Sequence, residues 1–382
     1  MKSKFWLVAF ILLLNCTSRS PEKIKESYIV IDQGIPSIND VVDLPNFITI
    51  NKVISLETTD SSLIDFVHKV VEDEFYFVQG GKSVYKFDKS GEFISKISKG
   101  KGGPDEFVNL TDILTLNDKD RLWVYDSHAR TIFQFDYNFN LEINYTLDYP
   151  LFGLEKLENG LIGTPGYMLV LEDPYSLFYF QGDNLEAGYK FEKTLHPFDL
   201  EKSDYLHVMR HDFFSELESG GYNYVNSFND TIYHISKTGD VYPSYFIDFG
   251  NKKVLETDLT EKGYTSIVDV FQFINSTDKS FNVGNVFESN KFLIYRFFNQ
   301  GKAFLSVYDK STGKLVSGHR IKLDNIGKSI ELPLDEEIRI GSFGDGRGYL
   351  VLPSESSVLG EFQKEFGVVD GDNPLLLVFN EK

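Results

Sequence analysis

A strand pair recurs six times along this chain. Each copy is an aromatic-rich apolar run, a tight polar loop and a second apolar run. The second run usually ends in Phe-Asp or Tyr-Asp before a glycine turn. EFYFVQGGKSVYKFDKSG (74–91) and RLWVYDSHARTIFQFDYN (121–138) are the clearest copies. A β unit this short cannot bury its own faces, so its copies must stack on one another. The repeat therefore points to an all-β chain, a β-propeller of six blades.

The six pairs are Phe75–Val78 with Val84–Phe87, Leu122–Tyr125 with Ile132–Phe135, Met168–Leu171 with Leu177–Phe180, Tyr222–Val225 with Ile232–Ile235, Phe292–Phe297 with Phe304–Tyr308, and Tyr349–Leu352 with Leu375–Phe379. Gly, Asn, Asp and Ser fill most of the connections, as turns require. The second runs end at Phe87, Phe135, Phe180, Ile235, Tyr308 and Phe379. The later intervals, from Phe180 onward, exceed the roughly 40–50 residues of a blade repeat, so they carry insertions. In one of them, Thr257–Ile274, the apolar residues Ile267, Val270, Phe271 and Ile274 have the spacing of an amphipathic helix. Residues 195–221 form a second long connection, expected to be part helical. A further strand can follow each of the first five pairs, but the chain ends after the sixth. The early run Lys52–Leu56 lacks a partner, so it is expected to pair with Leu375–Phe379 as the missing outer strand. That arrangement would close the ring and leave no open edge.

Residues 1–15 (MKSKFWLVAFILLLN) read as a secretory leader. Lys2 and Lys4 precede an apolar run, Phe5–Leu14, that is too short to span a membrane. Cys16, the only cysteine, comes immediately after. Leu13-Leu14-Asn15-Cys16 resembles a bacterial lipobox, which implies lipidation of Cys16; an ordinary leader with an incidental cysteine is the plainer alternative. Residues 16–46 then form a lipidated tether and lead-in, and 47–382 form the propeller. With Cys16 acylated, no thiol remains for a disulfide, a thiolate nucleophile or a zinc–sulfur site. The formal charge of −19 becomes −21 once the two leader lysines are removed. A field of that sign repels phosphate backbones and argues against nucleic acid as a partner.

Two stretches resemble a known family. Val53-Ile54-Ser55-Leu56-Glu57-Thr58-Thr59 followed by Leu63-Ile64 is similar to the opening of six-bladed, NHL-like β-propeller lipoproteins of Gram-negative bacteria. Val84–Ile97 and the loop Gly100-Lys101-Gly102-Gly103-Pro104-Asp105-Glu106-Phe107 are similar to later segments of the same family. The resemblance is strong over about residues 50–140. It implies a fold and an outer-membrane or cell-envelope address, and no reaction.

Several groups of residues could carry a site. Asp105 and Glu106 follow Pro104 in a glycine-rich loop that could form a lip on the ring, or simply a crossover between blades. His128, Arg130, Arg210, His211 and Tyr222 fall in or beside loops, where basic and aromatic groups would contrast with an acidic body. An anionic or sugar-like ligand would suit them, and ordinary loop chemistry is the plainer reading. His207 and His211 have helical spacing, but Val208 stands where HExxH needs Glu, and no third ligand can be named. The acids at 118–120 and 370–372 do not continue into a calcium loop. Gly341–Gly348 is glycine-rich but lacks the strand–helix setting of a dinucleotide site, so it reads as a turn. No Gly-x-Ser-x-Gly elbow is present. The expectation is a monomeric cell-envelope lipoprotein, facing the periplasm or the cell surface. It would have no cofactor or metal and would bind a protein or glycan non-catalytically through its loop face. The competing expectation is a glycan lyase or hydrolase acting at the channel mouth.

Overall fold

The computed structural model describes residues 28–103, 105–116, 120–166, 175–197, 212–226, 228–255, 258, 267–325, 328–334, 338–353 and 371–382. The leader, Cys16, Arg210, His211, the His207 spacing and Met168–Leu171 lie outside them.

Three strands precede the first full sheet: β1 (Ile29–Asp32), β2 (Val41–Asp43) and β3 (Ile48–Ser55). The first sheet is β4 (Val67–Glu72), β5 (Tyr76–Gly80), β6 (Ser83–Phe87) and β7 (Phe93–Ser98). The second is β8 (Leu110–Leu116), β9 (Arg121–Asp126), β10 (Thr131–Asp136) and β11 (Leu141–Thr146). The third is β12 (Gly153–Leu157), β13 (Gly160–Thr164), β14 (Tyr175–Gln181) and β15 (Lys190–Pro197). The fourth holds β16 (Phe214–Glu216), β17 (Tyr222–Tyr224), β18 (Thr231–Ile235) and β19 (Val241–Asp248), with β1 added in parallel along β19. Helix α1 (Ile267–Ser276) leads into the fifth, β20 (Ser280–Glu288), β21 (Phe292–Asn299), β22 (Lys302–Asp309) and β23 (Leu315–Gly318). β24 (Arg320–Asn325) and β25 (Lys328–Pro333) make a smaller sheet with β2. The last sheet is β26 (Arg339–Ser342), β27 (Arg347–Leu352) and β28 (Leu375–Glu381), completed by β3.

The fold is an all-β propeller, but the sheets among the described residues number seven, and the expected six blades are overturned. The added sheet comes from a stretch read as an insertion between Tyr308 and Phe379. There β24 and β25 pair as a hairpin, and β2 runs parallel to β24. The sheet forms because Val42, Ile321, Leu323 and Leu332 bury themselves with Leu305, Val307, Leu350 and Leu377 in one cluster. At the third pair, β14 finds its described partners in β13 and β15.

Closure of the ends is present. β3 runs antiparallel to β28, with Val53 opposite Leu377 and Ser55 opposite Leu375. The recurring Asp after the second run has a structural cause. Asp88 Oδ1 accepts the backbone N–H groups of Ser90 and Glu92 at 2.8 and 2.9 Å. Asp136 does the same for Asn138 and Asn140, and Asp309 for Ser311 and Thr312. The carboxylate thus builds the turn into the next strand of each sheet. On α1, Val270 and Ile274 are buried as the spacing requires, whereas Phe271 is exposed.

The strands that open the sheets position the site. β4, β8, β12, β16, β20 and β26 neighbour one another in that order and return to β4, around a common axis. The small sheet has no described strand in this inner ring and packs on β22 and β23.

Candidate functional site in the axial funnel

The inner strands surround a polar funnel of about 140 Å³. At its centre Lys69 Nζ donates to Asp112 Oδ1 at 2.9 Å and to Glu155 Oε1 at 3.0 Å. The three residues come from consecutive inner strands, and β-bulges help to aim two of them. The β4–β5 register slips between Val67 and Lys69, and the β8–β9 register slips between Leu110 and Asp112. A bulge bends the strand and redirects its side chains. The second oxygen of Asp112 accepts the Leu154 N–H at 2.9 Å, which ties β8 to β12.

Burial works to lower the Lys69 ammonium, but the adjacent Asp112 and Glu155 carboxylates outweigh it and keep the lysine charged. Glu155 is raised, first by burial and then by Asp112 and Glu216, against the pull of Lys69. Glu216, from β16, is also raised; the protein enclosing the funnel is the main cause, although its side chain stays open to water. Tyr222 donates its phenol to the Lys156 carbonyl at 2.9 Å. Its phenol is raised far above its usual range by burial and by Glu155 and Glu216.

The wall formed by the fourth and fifth sheets is polar and incompletely satisfied. Ser215 and Asn223 lie opposite each other across β16 and β17. Asn223 is 1% exposed, yet neither Oδ1 nor Nδ2 has a partner among the described residues, and the buried Ser215 Oγ has none either. Asn285 lies in the left-handed region at φ 46° within the doubly bulged β20. Its N–H donates to Asp212 Oδ2 at 2.6 Å, and its buried Oδ1 has no partner. Non-glycine residues held at positive φ tend to gather at functional sites. Among the described residues no cluster of His, Cys, Asp and Glu could hold a metal ion.

Of the residues named from the sequence, Tyr222 lines this funnel. His128 and Arg130 occupy the β9–β10 turn, and Asp105 and Glu106 the β7–β8 connection. Alternating strand directions put both loops at the end of the sheets where the inner strands begin. Asp126 joins them: Oδ1 accepts the His128 N–H at 2.8 Å, and Oδ2 accepts the Val108 N–H at 2.7 Å. Glu106 folds back on its own loop, accepting the N–H groups of Lys101 and Gly103 at 2.7 and 3.1 Å. Arg130 Nη1 donates to the Asp148 carbonyl at 2.9 Å, and Asp105 accepts from Asn144 at 3.4 Å. Sequence reasoning missed Lys69, Asp112, Glu155, Glu216 and Asn223. One signal was available: Lys69, Asp112 and Glu155 are charged residues among Val, Leu and Ile in the runs ahead of the first three pairs.

Among solved structures, a candidate exported protein of Bacteroides fragilis NCTC 9343 is similar, with a TM-score of 0.69 and 16% identity, over 93% of this chain and 100% of its own. A member of the DUF4221 family from Bacteroides vulgatus ATCC 8482 is similar at a TM-score of 0.54 and 9% identity, over 88% of this chain and 98% of its own. At these identities the likeness shows the propeller fold. No curated protein matches the chain significantly. The profile of a domain of unknown function, DUF4934, matches residues 30–377, and the chain belongs to that family.

Proposed function

We propose that this chain is an exported cell-envelope protein that binds a small polar molecule in the axial funnel and performs no chemistry on it. The observation that carries this reading is Asn223: its amide is buried against the funnel with no partner for either polar atom among the described residues. A polar group left so costs roughly 1–3 kcal/mol, and a bound molecule recovers that energy. The fold it shares with a candidate exported protein supports the address. Cys16 would supply the lipid anchor, in the outer membrane and facing periplasm or surface. The loops bearing Asp105, Glu106, His128 and Arg130 would form a rim.

A second reading, an enzyme acting on glycans, draws on Lys69, Glu155, Glu216 and Tyr222. These titratable groups share one enclosure, and both glutamates are raised toward neutrality, a pattern common at catalytic sites.

A thermal-shift panel of small polar compounds tests the binding role. Hits should persist in His128→Ala and Arg130→Ala and disappear in Asn223→Leu, which fills the polar wall. Hits that survive Asn223→Leu and vanish in the loop variants would move the site to the rim. Turnover of a hit would favour the enzyme.

A further inference from the structure

We propose that the funnel's ligand is a small organic ammonium ion, with its charged end on Glu216 and its hydrogen-bonding remainder on Asn223 and Ser215. This rests on the funnel being a binding site.

Most charges around the funnel are already engaged within the protein. Lys69 is held between Asp112 and Glu155. Glu72 is paired with Lys89 and with Arg347, the latter at 2.8 Å. Asp212 accepts from Asn285. Lys156 turns its ammonium to the Leu157 carbonyl at 2.6 Å. Glu216 is the carboxylate lining the funnel that has no hydrogen bond or ion pair on its side chain among the described residues.

Its position is nevertheless defined. Ser342 Oγ donates to the Glu216 carbonyl at 2.7 Å. The Gly344 backbone at φ 72° stands so close that a Cβ there would lie 2.7 Å from the Glu216 carboxyl carbon. Ser215, the preceding residue of β16, and its cross-strand partner Asn223 also line the funnel and offer donors and acceptors but no charge.

An anion entering here would meet five carboxylates, Glu72, Asp112, Glu155, Asp212 and Glu216, against three permanent cations, Lys69, Lys156 and Arg339. A neutral molecule would satisfy Asn223 but leave Glu216 only the attraction of Lys69, whose ammonium is already bonded to Asp112 and Glu155. An ammonium ion with an amide or hydroxyl tail answers both needs, and a chain of net charge −19 draws cations toward it. Because enclosure raises the Glu216 carboxyl, an arriving cation should reverse that shift and expel a proton.

Three compounds of similar size separate the classes: β-alaninamide (ammonium and amide), propanamide (neutral) and succinamate (carboxylate and amide). Each is titrated calorimetrically into the full mature chain near neutral pH, in buffers of different ionisation heat. β-Alaninamide should bind at least about tenfold more tightly than propanamide, as one charge-assisted hydrogen bond provides. Its heat should depend on the buffer. Glu216→Gln should abolish the advantage, while Glu218→Gln, at a neighbouring carboxylate bonded to Asn290, should keep it. Propanamide or succinamate binding as well as the amine, and failing in Asn223→Leu, would overturn the ammonium assignment and leave the funnel site standing. Failure of all three to bind, or an amine response untouched by Glu216→Gln, would overturn the assignment as well.

Discussion

Asn373 holds Ile64 across 309 residues of sequence: the Ile64 N–H donates to Asn373 Oδ1 at 2.8 Å. The same amide donates through Nδ2 to the carbonyls of Glu57 and Ser62 at 2.8 and 2.9 Å, and the Asn373 N–H donates to Thr58 Oγ1. Asn373 is fully buried. The stretch Glu57-Thr58-Thr59…Leu63-Ile64, which carried the family resemblance, is thus a wrap around one side chain just ahead of β28. Asn373→Ala strands the Ile64 N–H and the Ser62 carbonyl, while the Glu57 carbonyl keeps the Ser62 hydroxyl as a donor. At about 1 kcal/mol each or more, it should cost roughly 2–3 kcal/mol in chemical denaturation. Asn373→Asp keeps the acceptor and loses the donors, so it should also destabilise. A cost near zero for both would mean that the two ends are joined by β3 and β28 alone.

Gly91 closes the Asp88 turn at φ 96°, and its carbonyl accepts the Glu57 N–H at 2.8 Å. A Cβ here would approach the Ser55 carbonyl oxygen to 2.3 Å. Gly91→Ala combines left-handed strain with that collision and should cost about 1–3 kcal/mol. Gly81→Ala, at φ 55° with open space around it, isolates the strain and should cost less. Thermal or chemical denaturation of the two variants side by side provides the check.

Lys69 is the shared cation of two buried carboxylates. Lys69→Met leaves Asp112 and Glu155 facing each other without it, so the variant should lose about 3–5 kcal/mol of stability. The loss should be greater at pH 8 than at pH 5, where Glu155 can take up a proton. An equal loss at both values would show that the carboxylates find compensation elsewhere.

Glu288 sets an acid limit. Burial opposes its charge, but His234 at 2.8 Å and Lys310 at 2.5 Å outweigh this and hold its carboxyl at about 2. A carboxyl lowered on folding contributes stability above its unfolded value of about 4.3, and that contribution fades as pH falls toward 2. Glu288→Gln should therefore be clearly less stable than the parent at pH 7, and the two should converge below pH 3. Denaturation midpoints across that range provide the check.

Much of the architecture was legible because period and turn chemistry are local. The Phe-Asp and Tyr-Asp endings mark Asp88, Asp136 and Asp309, and the unpartnered run at Val53 pointed to Leu377 at the far end. The seventh sheet was not legible. It needs β2 from the lead-in beside Arg320–Lys322, a pairing that no local pattern announces. The site was harder still. Lys69 and Asp112 sit 43 residues apart in sequence, and the bulges that help to aim them are decided by packing. Tyr222 was singled out in the sequence for its polar loop surroundings, and it lines the funnel. Asn223, its neighbour, looks like any strand-edge amide until its burial is known.

Hydrogen exchange with and without a bound small molecule tests the axial site most directly. Ligand should slow exchange in Val67–Glu72, Leu110–Leu116, Phe214–Glu216 and Tyr222–Tyr224, the inner strands and their neighbour that line the funnel. Protection confined to the loops at 100–108 and 126–131, with those strands unchanged, would contradict a site on the axis.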